Sequence, residues 1–129
     1  MADKIVLADT SILIDYFRKT EKINSEWVKF YDKGYNIYIS AITEYEIFSG
    51  ATQAQIPFWE DLLKETKVLS FDQAVVKTAI EINNNLKRKR KQIDLADLFI
   101  AATAITNNLE FATLNHKHFA RIEELNIIQ

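Results

Sequence analysis

The stretch Ile5-Val6-Leu7-Ala8-Asp9-Thr10-Ser11-Ile12-Leu13-Ile14-Asp15-Tyr16-Phe17 decides the fold class. Its first four residues form an apolar run of strand length, and Asp9-Thr10-Ser11 offers side-chain oxygens that can cap a helix. Ile12, Leu13, Tyr16 and Phe17 then recur at helical spacing. A strand passing through a polar turn into a helix opens an α/β unit. Working outward, Glu21 to Asp32 reads as a helix closed by Gly34, and Asn36 to Ser40 as a strand. Helical patterns run from Ala41 to near Gly50 and from near Pro57 to Glu65, before a brief strand at Val68-Leu69. Asp72 caps a helix that runs to a basic segment, and Leu95 to near Thr106 is a further helix. Phe111 to Leu114 and Asn126 to Ile128 supply the last two strands. Short strands alternating with helices predict a three-layer α/β/α sandwich around a mostly parallel sheet. At 129 residues the expected organisation is one domain over 1–129, with no repeat or linker.

Composition removes several chemistries. There is no cysteine, which excludes disulfides, thiolate nucleophiles and cysteine metal sites and fits a reducing compartment. The two glycines, Gly34 and Gly50, are too few and too far apart for a phosphate-binding loop, a dinucleotide fingerprint or a serine-hydrolase elbow. Chemistry is left chiefly to carboxylates. The start of the chain has no secretory pattern, and no stretch reaches the ~20 apolar residues of a membrane span, so a cytoplasmic location is expected.

The net charge of −2 is unevenly spread, because Lys87-Arg88-Lys89-Arg90-Lys91 concentrates positive charge in an otherwise acidic chain. Such a run is either a solvated helix end or a contact that brings a polyanion to a particular place.

In open parallel sheets, sites form beyond the carboxyl ends of the strands. That rule selects Asp9, the helix after Ser40 and the loop after Leu114. Asp9 is either a helix cap or a reactive carboxylate. Glu44 and Glu46, two apart on a helix, point to nearly opposite sides, so one is solvated while the other faces inward. Asp97 opens a segment, Leu98 to Ile105, that is apolar around its whole circumference, and a carboxylate on such a buried helix needs a partner. Asp94 either caps that helix or joins Asp97, with the cap preferred. If Asp9, Glu46 and Asp97 converge within a few ångströms, their mutual repulsion calls for a cation, and oxygen ligands without cysteine select Mg²⁺ or Mn²⁺.

Four segments carry a resemblance. Leu7 to Asp15, Ser40 to Glu46 with Gly50 behind it, Asp94 to Ala104, and Thr113 to Phe119 resemble, in order, the motifs of the PIN-domain family, in particular its VapC-type toxin ribonucleases. The resemblance spans nearly the whole chain. It implies a Mg²⁺- or Mn²⁺-dependent endoribonuclease acting on RNA, the toxin of a toxin–antitoxin pair, homodimeric and inhibited by a small VapB-like antitoxin. By position, Asp9, Glu46 and Asp97 match the catalytic and metal-binding acids. Asp94, Thr10, Thr113 and Asn115 become candidates for supporting contacts or a second metal. Asn115 stands where many members carry a fourth acid, which weakens a second metal position.

His116 and His118, the only histidines, are expected at the surface or on the RNA backbone. The aromatic residues between Tyr16 and Trp59 are expected mostly in the core, some lining a partner groove. Two other readings compete. An aspartyl-phosphate phosphatase also places an acid after its first strand, but it wants a second acid nearby where Thr10 and Ser11 stand. A non-catalytic PIN-like RNA- or protein-binding module would have no need to retain all three acids.

Overall fold

A computed structural model describes residues 4–128, so the very start of the chain lies outside the described residues. The elements are β1 (Ile5–Ala8), α1 (Thr10–Arg18), a 3-10 turn at Lys22–Asn24, α2 (Glu26–Asp32), β2 (Asn36–Ser40), α3 (Ala41–Gly50) and α4 (Ile56–Lys64). They continue as β3 (Lys67–Leu69), α5 (Gln73–Arg88), α6 (Leu95–Thr106), β4 (Glu110–Ala112), α7 (His116–Phe119) and β5 (Ile127–Ile128). The strands form one sheet in the order β3-β2-β1-β4-β5, and every neighbouring pair is parallel.

The pleat of β1 divides the core. Leu7 faces a cluster with Val75, Ala79, Leu86, Leu98 and Phe119 of α5, α6 and α7 and with Phe111 of β4. Val6 and Ala8 face the opposite cluster with Ile12, Leu13, Phe30, Trp59 and Leu63 of α1, α2 and α4 and with Ile39 of β2. Alternate residues of one strand thus anchor two helical layers, the expected three-layer sandwich. β1 is central, and strand order reverses beside it, where β2 lies on one side and β4 on the other.

Two expectations about elements need correction. The helix read over Glu21 to Asp32 is broken at Ser25, whose hydroxyl accepts from the Val28 N–H and starts α2 afresh. Ile23, counted as part of its apolar face, is 69% exposed. The strand read over Phe111 to Leu114 ends at Ala112, because Thr113 and Leu114 turn out of the ladder. Other boundaries follow their local chemistry. Asp72 and Ser40 accept from the N–H three residues on and cap α5 and α3, and Gly34 ends α2 at φ 91°. No helix among the described residues is long and apolar enough to cross a membrane.

Candidate active site

Register places the first pair of groups. Ala8 of β1 lies opposite Ala112 of β4, so Asp9 and Thr113 leave the sheet side by side. Asp9 is 2% exposed, and both carboxylate oxygens are engaged. Oδ1 accepts from Ser11 Oγ (2.5 Å) and from the Ile12 N–H (3.3 Å), and Oδ2 accepts from Thr113 Oγ1 (2.5 Å). Asp9 is therefore both a helix cap and a buried acid. Ser11 Oγ also accepts from the Leu114 N–H at 3.0 Å, and Thr113 Oγ1 from the Asn115 N–H at 2.9 Å. These bonds pin the loop after β4 against the start of α1.

On the other side of β1, Ser40 ends β2 and starts α3. One turn into that helix Glu46 faces inward, where Thr10 Oγ1 donates to its Oε1 at 2.5 Å. Thr10 Oγ1 also lies 3.2 Å from Thr43 Oγ1, itself fully buried. Each of the first two acids thus receives a threonine hydroxyl.

The third acid has a different environment. Asp97 sits in the first turn of α6, with its carboxylate favoured by the positive end of the helix. His118 of α7 brings Nε2 to 3.0 Å from Asp97 Oδ2. The approach lacks hydrogen-bond alignment, and Nε2 is a buried atom without a hydrogen-bond partner. The contact becomes an ion pair only when the imidazole is protonated. Asp94 stands at the N-cap position, yet its side chain makes no cap hydrogen bond, contrary to the preferred reading. Instead Asp94, Asp97 and His118 each offer a ligand atom within 4.8 Å of the others. Among the described residues this is the one such trio, so Asp9, Glu46 and Asp97 do not form an equally tight cluster.

Electrostatics ties the acids together. Burial holds the Asp9 carboxyl above its ordinary value, opposed by hydrogen bonds from Ser11, Thr113 and the Ile12 N–H, and the charge of Asp97 adds to the rise. Asp97 is raised as well, first by burial; the charge of His118 opposes this, while Glu46 and Asp94 reinforce it. Asp9 and Asp97, whose ionisation is disfavoured by burial and neighbouring carboxylates, together with the His118 imidazole nitrogen beside Asp97, form a donor set that fits a divalent cation.

The remaining candidates fall around this centre. Asn115 is exposed at the start of α7, its backbone tied to Thr113. Lys87 and Arg88 end α5, Lys89 is its C-cap, and Arg90 and Lys91 lead toward the turn that carries Asp94 and Asp97. An open cleft of 510 Å³ lies beside the acids, lined by Thr10, Ser11, Ile14, Arg18, Leu114 and Asn115. Two contributors escaped the sequence reading. In the sequence Ser11 reads as helix-cap chemistry alone, and His118 as a group at the surface or on the RNA backbone.

The family model described as PIN domain matches residues 6–125. This chain belongs to the PIN domain family. Among similar PIN proteins, Ribonuclease VapC1 of Methanocaldococcus jannaschii is 34% identical over 125 residues, covering 95% of this chain and 84% of its own. Ribonuclease VapC of Rickettsia bellii is 33% identical over 131 residues, covering 95% and 94%. Among solved structures, VapBC-1 from nontypeable Haemophilus influenzae superimposes with a TM-score of 0.81 at 28% identity, covering 97% of both chains. The DNA-bound VapBC from Salmonella typhimurium reaches 0.85 at 24% identity over 98% of both, a likeness of fold.

Proposed function

We propose that residues 1–129 act as one PIN-like catalytic domain, a Mg²⁺- or Mn²⁺-dependent endoribonuclease that serves as the toxin of a toxin–antitoxin pair. The observation that carries this reading is the buried Asp9 at the end of the central strand, electrostatically coupled to Asp97 and through it to Glu46. Nearly full-length similarity to proteins named Ribonuclease VapC supplies the substrate class. Similarity to VapBC complexes supports a small VapB-like antitoxin as partner.

Asp9, Asp97 and Glu46 would hold the cation, with Asp94 and His118 beside it. When bound, a divalent ion supplies polarisation of the phosphodiester and acidifies a water at neutral pH. The chain's own groups do the rest. Ser11 and Thr113 fix the Asp9 carboxylate in one orientation, so that it would be held ready to bind a cation. Thr10 engages one oxygen of Glu46 and leaves the other to orient, and take a proton from, the attacking water. Lys87 to Lys91 lie in and after the last turn of α5, leading into the acid-bearing helix, and would meet the phosphates of RNA. A homodimer is supported by an apolar groove between α5 and α6, where Val76, Ile80 and Leu95 are exposed.

The deciding experiment compares cleavage of RNA by the wild type and by Asp9→Asn, Glu46→Gln and Asp97→Asn, each with Mg²⁺, with Mn²⁺ and with EDTA. Each single variant should lose nearly all activity, and combining them should cost little more. Cleavage that survives EDTA removes the metal from the mechanism. Folded protein that cleaves no RNA with either ion, yet binds it, returns the chain to a non-catalytic binding module.

A further inference from the structure

Three helices end in the same left-handed device. At the end of α2, Gly34 has φ 91°, its N–H reaches the Tyr31 carbonyl at 3.0 Å, and the Tyr35 N–H reaches that of Phe30 at 3.1 Å. At the end of α6, Asn108 has φ 54°, with Asn108 N–H to Ile105 O at 3.1 Å and Leu109 N–H to Ala104 O at 2.9 Å. At the end of α5 the residue is Arg90, φ 55°, with Arg90 N–H to Lys87 O at 3.1 Å and Lys91 N–H to Leu86 O at 2.9 Å. The motif favours glycine or asparagine at the left-handed position, because a Cβ crowds the carbonyl there, and an apolar residue after it. α2 follows this rule with Gly34 and Tyr35, whose ring packs on Phe30 at 5.7 Å. α6 follows it with Asn108 and Leu109. α5 breaks it twice, with Arg90 and Lys91.

The breach falls in the loop that enters the acid cluster, and the loop is pinned. Lys89 Nζ pairs with Glu123 Oε1 at 2.8 Å, and Arg121 Nη1 donates to the Gln92 carbonyl at 2.9 Å. Among the described residues the Arg90 side chain makes no hydrogen bond, ion pair or ring contact, and it is exposed. Asp94 lies four positions further along the chain, so their Cα atoms are at most about 14 Å apart. Favouring the dipole of α5 does not explain the residue, because Lys87 and Arg88 already place two cations in the last turn.

We propose that Arg90 is a phosphate anchor for the RNA strand beside the acid cluster, held in a strained backbone position where glycine would fold better. The inference rests on the ribonuclease reading for its ligand. Guanidinium suits this task because its fork grips two phosphate oxygens at once.

The test uses the full chain carrying Asp9→Asn, so that a fluorescein-labelled single-stranded oligoribonucleotide is bound without being cut. Adding Arg90→Gly should raise the melting temperature, weaken RNA binding several-fold, and lower the slope of log affinity against log salt by about 0.7, the share of one phosphate contact on a single strand. Arg90→Lys should keep the slope and lose part of the affinity. Lys64→Ala, on the far layer, should change neither. An unchanged salt slope in Arg90→Gly, a lowered melting temperature, or no RNA binding before the change each overturns the anchor. Failure of the ribonuclease reading looks different: wild-type protein cuts no RNA with Mg²⁺ or Mn²⁺, while Arg90→Gly still weakens binding.

Discussion

Thr113 and Asp9, 104 positions apart in the chain, are joined by a buried hydrogen bond from Thr113 Oγ1 to Asp9 Oδ2. It ties the ends of β4 and β1 together above the sheet, and the same hydroxyl accepts from the Asn115 N–H. Thr113→Val keeps the volume and deletes both bonds. Stability in urea without metal should fall by about 1–3 kcal/mol, the cost of unpartnering a buried acceptor. Thr113→Ser should recover most of it.

Asp9 links stability to pH. Because burial raises its folded value above 3.8, the folded chain keeps a proton that the unfolded chain has already released. Stability without metal therefore falls as pH rises from 3.8 through the raised folded value. Asp9→Asn removes that ionisation. In EDTA the variant should melt above the wild type near neutral pH, with the gap closing as the pH is lowered toward 3.8. Mg²⁺ at about a hundred times its Kd should then stabilise the wild type by ~2.7 kcal/mol and leave the variant unmoved.

The hydrogen bond from Thr10 to Glu46 predicts a selective loss of turnover. Thr10→Val should lower kcat about 10–100-fold, the usual scale for a group that orients a metal-site residue, with little change in melting temperature. Glu44→Gln, on the same helix but on another face, should cleave at the wild-type rate. If the two results were exchanged, the inward assignment of Glu46 would be wrong.

Asn115 offers one neutral oxygen where a carboxylate would add charge. Asn115→Asp should tighten a second Mn²⁺ by about tenfold, or ~1.4 kcal/mol, in calorimetry without RNA. A wild type that already binds two ions equally, or a variant with unaltered binding, places Asn115 outside the coordination sphere.

What could be read from the chain beforehand was whatever is decided locally. β1, α1 and α6 follow from apolar runs and periodicity within a dozen residues, and the helix cap at Asp72 acts over three. The break at Ser25 was hidden because Ile23 and Trp27 continue a helical spacing across it, although Ile23 is 69% exposed. Thr113 reads as a strand residue by propensity, but its hydroxyl is drawn away to Asp9. His118 was illegible for a longer-range reason. Its neighbour Phe119 is fully buried and packs on Phe111 at 4.8 Å, and seating that ring carries the imidazole to Asp97, twenty-one residues earlier in the chain. No local pattern contains that packing.

The central position of β1 also governs when a nuclease can exist during synthesis. Asp9 is among the first residues to emerge, but β4, one of the two strands that flank its own, and the Thr113 hydroxyl that holds its carboxylate arrive more than a hundred residues later. Asp97 and His118 are likewise late. A nascent chain that stops short of α6 therefore carries Asp9 and Glu46 without Asp97, and no complete cutting centre. Under this arrangement the protein cannot attack the RNA that encodes it until translation of the domain is all but complete, and a fragment truncated before β4 should be harmless.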